Sequence, residues 1–507
     1  MREELESLMF ALAIGAAMTI VAKRASLPYN VVLVVVGLLA VLFDLLPSAP
    51  LNPDLVLLVF LPMLVFEAAL FTDTEQLRLA SRPIFALAIP GVGLSLIATG
   101  LIATQVLSMP LPIAMLMGAL LAITDTVSVL LAFRGARVPA RLAAIMEGES
   151  LFNDGTALVL VGLCAAVVTS GVFDVGATVR SLLLAIVGGA LIGGAFGALG
   201  GVVLRRAPDH LTVILSSVVL VFGTSLVAER VHASPIIAVV VAGLSIGQAA
   251  RKALEPARFL ALGGFWETCG FAINVALFLL VGMQIRAELL YAERFSILSA
   301  LLALHAGRAL AVYGSFAGLR LVFRERIPLS WQHVMVAGNI KGALSMAAVL
   351  ALPLTLPWRE RLVTIVFGVT FVTLVTQGLP FKRILLWLRV TLNGPDPVME
   401  HAKATLIAAK RGQSDLDNLL GSGLVSRSEH AAHKAALQRE MIAAEQILGA
   451  ANSLERERLV AATLMVGRKA ALVDAAQRGL VARDVAELAI AECDRRIAAA
   501  DIEGSSH

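Results

Sequence analysis

The sequence has little charge and little cysteine. Only 15% of its 507 residues are charged, against 58% hydrophobic, and the mean hydropathy is +0.86. That balance excludes a soluble globular protein and indicates a chain that crosses a membrane many times. The three cysteines, Cys164, Cys269 and Cys493, are scattered and odd in number. They form no metal or disulfide pattern and read as small apolar fillers. The start, Met1-Arg-Glu-Glu-Leu-Glu, is acidic and shows no small-residue cleavage site. The first apolar run is therefore expected to be a retained span, not a signal peptide.

What is there is a series of apolar runs. A helix needs about 17–25 such residues to cross a bilayer. Thirteen runs qualify, near 8–22, 30–46, 54–71, 83–107, 112–133, 143–169, 178–204, 211–228, 235–249, 265–285, 295–323, 332–354 and 361–387. Alternate loops carry eighteen Lys and Arg on one side and seven on the other. The bias puts the N-terminus outside and the C-terminus in the cytoplasm, with an odd number of spans; the expected location is the plasma (inner) membrane. A transmembrane domain thus occupies 1–392. Residues 393–397 are a linker, and 398–507 form a soluble helical tail of about four helices with a possible regulatory use. Ser426 with Glu429, and Asp484 with Glu487, have N-cap spacing. The tail's mixed charges describe a solvated bundle, not a nucleic-acid surface.

One stretch organises the rest: Ile145-Met-Glu-Gly-Glu-Ser-Leu-Phe-Asn-Asp-Gly-Thr156, which runs directly into an apolar helix. A carboxylate at bilayer depth costs several kcal/mol, roughly 2.5–3.5 on insertion scales. Such acids commonly line a polar path. Helical spacing puts Glu147, Ser150 and Asp154 on one face, with Glu149 and Asn153 on a neighbouring face about 100° away. Surface acids preceding an ordinary helix are the plain alternative.

Other polar residues stand in apolar runs. Glu67 is protonated, faces a cavity or lies at the interface. Asp125 between Thr124 and Thr126 marks a local break in the fifth span, since side-chain oxygens there can bond freed backbone groups or a cation. Gly189, Gly193, Gly197 and Gly201 repeat every four residues, a face for close packing within a subunit or between two. In the tenth span Trp266 fits an interface anchor, Glu267 lies near the same end, and Asn274 needs a partner. Arg308 at its depth calls for a carboxylate, unless it snorkels. Gly338 and Gly342 bracket Asn339 and Lys341 in a second interrupted span. Two interrupted spans in corresponding halves point to a transport site at the midplane.

These residues resemble the sodium/proton antiporters of the monovalent cation/proton antiporter superfamily, on the NhaP/NHE-like branch. The resemblance covers roughly 8–390 and is strongest at Glu147-Gly-Glu-Ser-Leu-Phe-Asn-Asp-Gly155. Thr124-Asp-Thr-Val-Ser-Val129, Phe66-Glu67-Ala68, Phe265-Trp-Glu267 with Asn274, Arg308 and Lys341-Gly-Ala-Leu-Ser345 follow in family order. It implies an all-α polytopic membrane protein of about thirteen spans, with inverted repeats and two broken crossing helices. Core spans lie at about 83–169 and 295–387, interface spans at about 8–71 and 178–285. It also implies exchange of protons for Na+ (or Li+), a homodimer and no cofactor beyond the transported ions.

By the same resemblance Asp154 takes either a proton or the cation. Asp125, Thr124 and Ser150 supply oxygens to Na+, and Glu67 shapes the site through water. Asn153 is the neutral member of the Asn-Asp pair that accompanies electroneutral exchange. Glu149 pairs with Arg308, and Lys341, Asn339 and Thr126 support the breaks. Two positions depart from the family: Thr126 replaces a Pro, and Lys341 replaces an Arg, losing planar bidentate pairing. A K+/H+ antiporter with the same site is the first rival. An intramembrane aspartyl protease using Asp125 and Asp154 is the second, although its Gly-x-Gly-Asp signature is missing.

Overall fold

The computed structural model describes residues 13–22, 24, 28–43, 53–125, 129–130, 133, 136, 138–391, 397–422 and 424–449, with six scattered positions beyond. Their regular structure is all helical. The chain forms two compact units, 1–391 and 392–507.

The first unit holds α1 (Ala13–Ala22), α2 (Tyr29–Leu42), α3 (Pro53–Phe71), α4 (Ser81–Val106), α5 (Leu111–Ala122), α6 (Ala140–Ser170) and α7 (Val175–Arg206). It continues with α8 (His210–Arg230), α9 (Pro235–Ala253), α10 (Pro256–Gln284), α11 (Arg294–Phe323), α12 (Leu329–Ala337), α13 (Ala343–Leu350) and α14 (Arg359–Gly378). Among the described residues nine helices are long and apolar enough to cross a membrane; α1, α2 and α5 are shorter apolar helices. With the interrupted pair α12–α13 these occupy all thirteen expected runs.

Two groups of helices pack together. In one, α4 lies against α5 and α11, α6 packs on α5, and α14 meets α11 and α13. In the other, α7 packs on α9, α9 on α3, α8 on both α7 and α9, and α10 on α2. The glycine face of α7 is used within the chain. A Cβ at Gly193 would stand 2.3 Å from the Ala238 carbonyl oxygen, and one at Gly197 2.5 Å from Ser245 Cβ. Small residues let these backbones approach, so the stripe is a seam between α7 and α9.

Trp266 is not an interface anchor. It is fully buried, donates from Nε1 to Ser217 Oγ at 3.0 Å and stacks on Phe66 at 4.7 Å. The reason is that α10 begins at Pro256 instead of near residue 265, which moves Trp266 a full ten residues into the helix. Proline at the first helical turn, where its missing N–H costs nothing, marks this start. Glu267 is exposed, and Asn274 is only half-buried. Cys164 and Cys269 are half-buried free thiols; Cys493 lies outside the described residues.

In the second unit α15 (Pro397–Gly421) and α16 (Arg427–Gly449) pack on each other. Ser426 and Glu429 cap α16 reciprocally: Ser426 N donates to Glu429 Oε2 at 3.0 Å and Glu429 N to Ser426 Oγ at 3.3 Å. His430 donates to Asp417 at 2.7 Å, which together with nearby Lys434 holds that carboxyl below its ordinary range. Asp484 and Glu487 lie outside the described residues, as does most of the region expected to hold further helices.

Candidate functional site

The site starts with a helix that stops early. After Ala122 the chain extends, with Ile123 at φ −61° and ψ 131°. The freed carbonyls at this C-terminal end are partly negative and need donors. Asn153 Nδ2 donates to Ala122 O at 3.1 Å and to Thr124 Oγ1 at 2.9 Å. Lys341 Nζ donates to Ile123 O at 2.9 Å and to Asn339 Oδ1 at 2.7 Å. These acceptors lie apart, on a carbonyl and an amide, so a compact ammonium suits them and a planar fork is not required.

The second break, residues 338–342 between α12 and α13, crosses the first. Asp125 N donates to Ile340 O at 2.8 Å, and Lys341 N to Thr373 Oγ1 at 3.2 Å. Gly342 is required by space: a Cβ there would lie 2.6 Å from Asp125 Cβ. Asn339, Lys341 and Asn153 are all at most 1% exposed. Thr126 lies outside the described residues.

Between the breaks and α3, α6 and α10 lies a cavity of about 140 Å³. Its polar lining is Glu67, Thr124, Asp125, Glu147, Ser150, Asp154 and Asn274. Glu67 therefore reaches the cavity from α3; Gly270 of α10 leaves it room, since a Cβ there would stand 3.1 Å from its carboxyl carbon. Asp154 Oδ1 is buried and has no hydrogen-bond partner among the described residues. A buried acceptor without a partner calls for an occupant, such as a proton, an ion or a water. Carboxylates, hydroxyls and carbonyls are hard oxygen donors that suit an alkali cation, and a carboxylate can instead take a proton.

Glu149 turns away from this cavity. It meets Arg308 in a bidentate pair, Nη1 to Oε1 at 2.9 Å and Nη2 to Oε2 at 3.2 Å. Arg308 Nε also donates to Met335 O at 3.2 Å. Both side chains are under 10% exposed, so Arg308 does not snorkel. The pair ties α6 to α11 and α12.

Thus Asp154, Asp125, Thr124, Ser150 and Glu67 come together at one cavity. Asn153, Lys341 and Asn339 sit behind it, holding the break, and Glu149 with Arg308 stands apart. Glu147 and Asn274 also line the cavity. The seven-residue spacing from Asp154 was the signal for Glu147; an amide in an apolar span was the signal for Asn274.

The family model described as sodium/hydrogen exchanger, transmembrane, matches residues 9–387. An Na(+)/H(+) antiporter of Synechocystis, NhaS2, is 36% identical over 497 residues, covering 95% of this chain and 91% of that protein. NhaG of Bacillus atrophaeus, also named an Na(+)/H(+) antiporter, is 33% identical over 391 residues, covering 74% of this chain and 73% of its own. The solved structure of the sodium proton antiporter MjNhaP1 from Methanocaldococcus jannaschii at pH 8 aligns with a TM-score of 0.61 at 18% identity. That match covers 76% of this chain and 95% of the other, and it shows the common fold.

Proposed function

Since the chain belongs to the sodium/hydrogen exchanger family, we propose that it is a secondary active antiporter exchanging Na+ (or Li+) for protons at Asp154. The observation that carries this reading is the buried Asp154 Oδ1 facing a cavity it shares with Asp125, Thr124, Ser150 and Glu67. Sodium favours the ionised carboxylate, and a proton displaces sodium. Competition at one acid couples the two gradients once the occupied site is offered to each side in turn.

Asp154 takes the ion; Asp125, Thr124 and Ser150 supply further oxygens, and Glu67 acts through water. Asn153 stays neutral and has its donors committed to Ala122 and Thr124. One proton per sodium and electroneutral exchange follow. The group α4–α6 with α11–α14 moves against α1–α3 with α7–α10. The protein works as a homodimer in the plasma (inner) membrane in pH and sodium homeostasis, with its N-terminus outside and a regulatory tail, 398–507, in the cytoplasm.

The test is proton flux in proteoliposomes holding an acid interior. Sodium and lithium chloride are expected to dissipate the pH difference, at a rate that clamping the membrane potential leaves unchanged. Potassium chloride alone doing so would replace this reading by K+/H+ exchange; no response to any salt would refute antiport.

A further inference from the structure

Glu147 lies on the Asp154 face of α6, two helical turns or about 10 Å towards the α3–α4 connection. It meets Thr72, at the C-terminal end of α3, with Oγ1 2.5 Å from Glu147 Oε1. The Thr72 hydroxyl is also 2.8 Å from the Ala68 carbonyl oxygen, which already accepts the Thr72 backbone N–H at 3.1 Å. Arg251 of α9 fixes this corner by donating to Thr72 O at 3.0 Å and Leu70 O at 2.9 Å.

A hydroxyl has one hydrogen to donate and lone pairs to accept. When Glu147 is protonated, its O–H donates to Thr72 Oγ1 and the Thr72 hydroxyl donates to Ala68 O. When Glu147 is ionised, the Thr72 hydrogen turns to the carboxylate, and Ala68 O keeps the backbone N–H. Neither form loses its partner at Thr72, and no heavy atom has to move. Leaving a buried polar group unpaired would cost about 1–3 kcal/mol, and the Thr72 hydroxyl avoids that cost in both forms of Glu147. The charged groups near it include Glu67, Asp125 and Asp154 in the same cavity, Arg251 beside Thr72, and Glu75 and Arg78 with the cap Asp73 on the short helix Thr74–Leu79, which packs on α6.

We propose that Glu147, with Thr72 as its two-way partner, is a proton station serving Asp154, separate from the oxygens that hold sodium. The proposal rests on the antiport reading. A proton leaves water for the Glu147 carboxylate, then crosses the cavity through water to the Asp154 carboxylate. Glu147 returns to its ionised form, and the displaced sodium leaves. The cavity of about 140 Å³ has room for the connecting waters at about 30 Å³ each.

Two fluxes separate this role from a structural one. Sodium-driven proton movement needs the station, whereas exchange of radiolabelled sodium for sodium at equal pH does not. In proteoliposomes Glu147→Gln is expected to slow the first roughly ten-fold and to leave the second within about two-fold. Thr72→Val, which keeps the shape and removes the hydroxyl, is expected to act in the same direction and serves if the first variant does not fold. Both fluxes falling together would make the Glu147–Thr72 contact a structural tie and overturn the proposal. Neither flux falling would take Glu147 off the proton route. Wild-type protein showing neither flux would overturn the antiport reading instead.

Discussion

Asp154→Asn is expected to reduce sodium- or lithium-driven proton movement to the level of protein-free liposomes. The amide keeps the shape of the carboxyl but cannot bind a proton or pair its charge with a cation. Asp125 remains in the cavity, but its backbone N–H is tied to the second break at Ile340, and the competition at Asp154 is gone. Stability should not fall, because the change removes a buried acid whose Oδ1 has no partner among the described residues. A detergent-stable variant that still exchanged would remove Asp154 from the mechanism.

Glu149→Gln is expected to act in the opposite way, on folding more than on ion competition. It leaves the Arg308 guanidinium buried without its counter-charge, and breaking one partner of such a pair costs about 3–5 kcal/mol. Thermal unfolding of the purified protein should shift sharply downwards, and folded yield should drop. Adding Arg308→Met should recover part of the loss, since it removes the buried guanidinium that Glu149→Gln leaves without a counter-charge. An unchanged unfolding temperature for Glu149→Gln would show that the pair contributes nothing to holding α6 against α11.

Much of this was legible in the sequence because the membrane restricts it. Apolar runs must be helices, and a buried charge must be partnered, so Arg308 called for a carboxylate; that this carboxylate is Glu149 was implied by the family resemblance and is what the geometry shows. Thr124-Asp125 in an apolar run and the Gly338–Gly342 bracket announced the two interruptions, which the structure places against each other. Other features depend on neighbours that one sequence does not name. The α7 glycines could serve packing within or between subunits, and only the position of α9 decides. Trp266 read as an anchor because the first turns of α10, residues 256–264, were not counted as helix. The Glu147–Thr72 contact joins residues 75 positions apart and has no local signal.

On the proposed mechanism one carboxyl, Asp154, holds either a proton or sodium. Calorimetric titration of sodium into the purified protein, in two buffers of different ionisation enthalpy, tests it most directly. The heat should depend on the buffer, reporting close to one proton released per ion where the acid starts protonated. Apparent affinity should then weaken about ten-fold per unit of falling pH. Sodium binding with heat and affinity independent of buffer and pH would contradict it.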